Sequence, residues 1–73
     1  MERDKLELMD IAQAGASLVV DGSKFDKLEL IDIAKSIQNG CMLEIANCQT
    51  KTKYELVDIA TAAPGKVRIR LTA

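Results

Sequence analysis

The chain has 73 residues, 48% of them apolar, with ten basic and eleven acidic side chains and a formal net charge of −1. That size permits one small domain, and a single core of this size usually needs help from a metal, a disulfide or a partner chain. The near-neutral balance argues against a bulk polyanion binder, and the longest apolar run is too short to cross a bilayer. With no charged-then-apolar leader at the start, the expected location is cytoplasmic.

The first predicted element opens at "DKLELMDIAQAG". Asp4 stands three residues before Glu7, the spacing of a capping box, in which the cap side chain takes the N3 amide and the glutamate reaches back. Leu8, Ile11 and Ala12 fall on one side at helical spacing, and Leu6 and Met9 form a flanking stripe. Gly15 closes this helix, which should be shorter than the second. The following "SLVV" alternates as a strand, with Leu18 and Val20 facing the helices and Val19 facing away.

The same phrase then recurs. "FDKLELIDIAKSIQNG" carries Asp26 and Glu29 at capping-box spacing, with Phe25 placed to staple onto Leu30. Leu30, Ile33, Ala34 and Ile37 form the inner side, Leu28 and Ile31 the flank, and Glu29, Asp32 and Ser36 the wet side. Gly40 is read as the helix stop. In "CMLEI", Leu43 and Ile45 should face inward, and Met42 and Glu44 outward. The third copy, "TKYELVDIATAAPG", repeats the cap with Thr52 and Glu55. Leu56, Ile59 and Ala60 form its inner side, Tyr54 and Val57 its flank, and Pro64–Gly65 its stop. "KVRIRL" ends the series, with Val67, Ile69 and Leu71 inward and Arg68 and Arg70 outward.

A shared Glu-Leu-x-Asp-Ile-Ala core at a period of about 22–26 residues indicates stacked supersecondary units. Each strand is followed by a helix and another strand, so the strands should be parallel with right-handed crossovers. The expected fold is α/β: three helix–strand repeats, α-β-α-β-α-β, with a small parallel three-stranded sheet, helices on one face only, and a solenoid-like arrangement. The units are about 4–22, 23–47 and 48–73 of a single domain.

At "MLEIANCQTKTKYELVDIATAAPGKVRIRL" the chain resembles a leucine-rich repeat. Leu43 and Ile45 occupy the positions of that family's strand leucines, and Asn47 or Cys48 lies near its Asn/Cys position, where the side chain satisfies loop amides. Leu56, Ile59 and Ala60 are similar to its helix positions. The resemblance implies a horseshoe with strands on the concave side and helices outside. It covers 41–71 best; Asp21–Gly22 stands in place of the asparagine–cysteine feature in the first unit.

Signals for chemistry are few. There is no histidine, which removes the commonest general base and metal ligand. No catalytic residue, metal site or cofactor is therefore assigned, and the chain is read as non-enzymatic. Cys41 and Cys48 lie about 20 Å apart if the segment between them is extended, too far for a bridge; they read as reduced, largely buried small hydrophobes. Glu7/Asp10, Glu29/Asp32 and Glu55/Asp58 could stack into an acidic stripe for a divalent cation, but capping boxes and a solvated face explain them without metal. Lys66, Arg68 and Arg70 lack interleaved aromatics, so nucleic acid is an unlikely partner, and Glu44 can absorb part of the charge across the strands.

Two readings of function remain. The first is a structural, self-assembling protein that forms a homo-oligomer through uncapped end units and sheet edges, with Leu6, Met9, Tyr54 and Val57 as the contact. The alternative is a protein-binding module that presents the helix-free sheet face, through Val19, Met42, Glu44, Arg68 and Arg70, to another macromolecule.

Overall fold

The computed structural model describes residues 4–72. Three helices, α1 (Lys5–Gln13), α2 (Lys27–Lys35) and α3 (Lys53–Ala62), alternate with three strands, β1 (Leu18–Asp21), β2 (Leu43–Ala46) and β3 (Val67–Ile69). A short 3₁₀ turn, Gly22–Lys24, separates β1 from α2. The sheet is parallel, in the order β1-β2-β3, and Leu18, Leu43 and Val67 lie side by side in one row. This is the expected α-β-α-β-α-β alternation in one open sheet. The molecule measures 30 × 29 × 19 Å.

The helices begin where the caps predict. The side chains of Asp4, Asp26 and Thr52 accept from the amides of Glu7, Glu29 and Glu55. At α2 and α3 the glutamate returns the bond to the cap amide, completing the capping box.

Helix ends differ from expectation. Only Gly15, with φ of 103°, stands directly after a helix cap, at Ala14. α2 stops at Lys35, well before Gly40, and α1 and α2 are equally long at nine residues. Ile37, just beyond the helix, is still buried in the core. Ser36, expected on the wet side, is buried at the cap, and its hydroxyl donates to the Asp32 carbonyl. Gly40 (φ 86°) shapes a later turn, and Gly65 (φ 79°) follows the cap residue Ala63 and Pro64.

The core is aliphatic. Leu30, Ile33 and Ala34 of α2, Ile59 of α3 and Ala12 of α1 are fully buried with Leu43, Ile45 and Cys48. Val20, Phe25, Ile37 and Ala63 complete the cluster, and Val19, Arg68 and Arg70 are exposed. The alternation along the strands therefore separates a covered face from an open one. Leu71, expected to face inward, lies beyond the end of β3 and is exposed.

Backbone carbonyls of one unit are tied down by side chains of the next. Cys41 Sγ donates to the Gly15 carbonyl at 3.0 Å, Lys51 Nζ to the Phe25 carbonyl at 2.8 Å, and Lys66 Nζ to the Ile37 carbonyl at 3.1 Å. Gly22 is buried for a steric reason: a Cβ there would stand 2.8 Å from Ile45 Cγ2 and 2.9 Å from the Ala46 carbonyl oxygen.

Candidate functional site: the two ends of the stack

The helices are joined by a repeated ion pair. Lys5 Nζ of α1 meets Asp32 Oδ2 of α2 at 3.0 Å, and Lys27 Nζ of α2 meets Asp58 Oδ2 of α3 at 3.0 Å. Each lysine is the first residue of its helix, and each aspartate is the sixth of the helix that follows. The Asp32 hydrogen bond, then its charge, raise the Lys5 pKa above its ordinary value. These pairings replace the acidic-stripe reading. Asp32 and Asp58 face lysines, and no group of three or more potential metal ligands converges among the described residues.

The series runs out at both ends. Lys53 begins α3 as Lys5 and Lys27 begin their helices, but it has no carboxylate within salt-bridge distance among the described residues; its ammonium sits 5.2 Å from the Tyr54 ring centroid. Asp10 is the sixth residue of α1, the equivalent of Asp32 and Asp58, and it has no basic partner among the described residues.

Burial shows the same asymmetry. In the repeated Asp-Ile-Ala, Ile33 and Ile59 are fully buried, and Ile11 is only partly covered. Conversely, Ala12 and Ala34 are fully buried, and Ala60 is partly open. The helix side that meets the preceding unit is partly bare on α1, and the side that meets the following unit is partly bare on α3. Beside that bare side of α3 lies an open groove of about 570 Å³, lined mainly by Leu56, Val57, Ala60, Ile69 and Leu71, with Lys53 on its wall.

The four flank residues expected to form one contact are divided by this arrangement. Val57 lines the groove. Met9 packs against the core. Leu6 and Tyr54 share an outward position with Leu28, which the sequence reading left out of the contact; all three are strongly exposed as the second residue of their helices.

On the helix-free face, Val19, Glu44 and Arg68 lie in one row across the strands, and Arg70 joins them through Glu44. Val19 pairs in register with Glu44, and Glu44 with Arg68. Glu44 is only 14% exposed and accepts ion pairs from Arg70 at 2.9 Å and Arg68 at 3.8 Å. Its carboxylate thus offsets part of the arginine charge, as expected for an internal cross-strand pair.

Two sites at the sheet's C-terminal edge, at the end of β1 and just after β2, carry shifted ionisation. The Ser23 hydroxyl, donating at 2.6 Å, and the Ser23 amide hold the Asp21 carboxyl below its ordinary value. Burial pushes the Cys48 thiol up, and its Sγ donates to the Ile45 carbonyl at 3.3 Å. At this place, which the leucine-rich-repeat resemblance gives to Asn47 or Cys48, the Cys48 thiol also approaches the Ala46 carbonyl at 3.8 Å, and the Asn47 side chain hydrogen-bonds Asp21. Both cysteines are free. Among the described residues, no helix is long and apolar enough to cross a membrane.

No protein-family model, curated protein or solved structure gives a match to this chain.

Proposed function

We propose that this chain is a non-enzymatic structural protein that associates with further copies of itself, through its uncapped end units and sheet edges, into a solenoid-like homo-oligomer. The observation that carries the reading is the apolar groove beside α3 and β3, open where a following unit would lie. Repeat proteins ordinarily close such ends with polar capping units, because an end that repeats the interior exposes interior surface. β1 and β3 are also the two edges of the sheet, each with backbone donors and acceptors facing outward. The non-enzymatic part rests on composition, since the chain has no histidine. A cytoplasmic setting fits its two free cysteines.

The alternative, a partner-binding module using the helix-free face, has less support, because Glu44 already engages both arginines there.

Light scattering over a dilution series tests the reading. The expected result is a mass that rises above the protomer's 8.0 kDa with concentration in the micromolar range. A mass near that of the protomer at every concentration sinks it.

A further inference from the structure

We infer that the association is head to tail: the α3–β3 end of one copy receives the α1–β1 end of the next, and Lys53 of the first pairs with Asp10 of the second. This rests on the self-association reading above and adds its geometry. Three observations on different parts of the molecule converge on it.

The first is charge. The pairs Lys5–Asp32 and Lys27–Asp58 form two rungs of a ladder in which the first residue of one helix meets the sixth of the next. Lys53 and Asp10 are the two unfilled valences of that ladder, opposite in sign and on opposite ends. Only a head-to-tail contact brings them together. A two-fold contact at either end sets lysine near lysine or aspartate near aspartate, which repels.

The second is shape. Inside the chain, Ile33 and Ile59, whose helices each follow another in the stack, are fully buried, the pattern of a side chain that fills the space beside the preceding unit. Ile11 is the same residue of the same motif and is partly bare. The groove beside α3 and β3 is the same space in the last unit, and it is open. Ile11 of a second copy is the side chain that the repeat supplies for it.

The third is backbone. β1 and β3 are opposite edges of a parallel sheet. Placing β1 of a second copy beside β3 continues the sheet in the same sense, and extends the row Leu18, Leu43, Val67 by that copy's Leu18. An edge-to-edge two-fold contact would make the new pairing antiparallel. Exposed ion pairs contribute little affinity but select register, so the apolar groove and the strand supply the binding and the ladder supplies the alignment.

The test uses two charge reversals on the full chain, K53E and D10K, each first shown by circular dichroism to melt as a folded protein. Both side chains lie outside the core, so folding is expected to survive. Each variant alone should associate about tenfold more weakly than wild type, because each sets like charges against one another in the contact. An equimolar mixture should recover association: the tail of K53E meets the head of D10K as a reversed pair, and the tail of D10K meets the head of K53E as the native pair. Recovery supports the head-to-tail geometry. Wild-type-like association of both single variants, or failure of the mixture to recover, overturns it and leaves self-association standing. A wild type that stays monomeric throughout removes the underlying reading as well.

Discussion

Gly22 shows how one residue can be fixed by a neighbour that lies far off in the chain. Its φ is not in the left-handed region, so conformational freedom does not explain it. The reason is space: Ile45 and the Ala46 carbonyl already stand within 3 Å of where a methyl group would go. Gly22→Ala should therefore overpack the junction between the first two units. Overpacking costs about 1–3 kcal/mol, which corresponds to a fall in melting temperature of roughly 5–20 °C for a domain this small. Thermal unfolding followed by circular dichroism checks this, and an unchanged melting temperature would show that β2 yields without cost. No local signal in "VVDGSKF" announced this requirement, because it comes from a strand 23 positions later.

At the scale of elements, what the sequence made legible was whatever is settled within one turn of chain. All three helix starts follow from a cap and a glutamate three residues on, and the alternation of Leu43, Glu44 and Ile45 gave the strand faces. Helix ends were less legible. Gly40 looked like a stop, yet α2 ends at Lys35 and Gly40 shapes a later turn: a positive-φ glycine marks a turn without fixing where the preceding helix ends. The lysine–aspartate ladder was visible in principle, since every helix begins with lysine and carries aspartate at its sixth position. Its pairs, however, span 27 and 31 residues, and only the stacking of helices brings them together. The two kinds of contact should separate experimentally. Glu29→Ala removes the return bond to the Asp26 amide and should cost about 0.5–2 kcal/mol, little affected by salt. Asp32→Ala removes an exposed ion pair with Lys5 and should cost less, with the difference from wild type vanishing in 1 M salt. Melting both variants at low and high salt reads this out; a loss at Asp32 that persists in high salt means that the aspartate acts through something other than its charge.

For the whole molecule, spatial order in the sheet equals chain order, and the middle unit alone has a paired strand on both sides. β2 is paired along both edges, and α2 has Leu30, Ile33 and Ala34 wholly buried. Such an arrangement opens by fraying from its ends rather than all at once. In dilute solution, amide exchange should be slowest in β2 and α2 and faster in β1 and β3, and a uniform rate across the sheet would mean that the three units open as one. The same gradient is a built-in gauge of assembly. A copy with neighbours at both ends has no terminal unit left to fray, so the exchange rates of β1 and β3 should fall towards that of β2 as concentration rises. Fraying at the ends and growth of the stack are then one equilibrium seen from two sides: the surface that lets the outer units loosen is the surface on which the next copy settles.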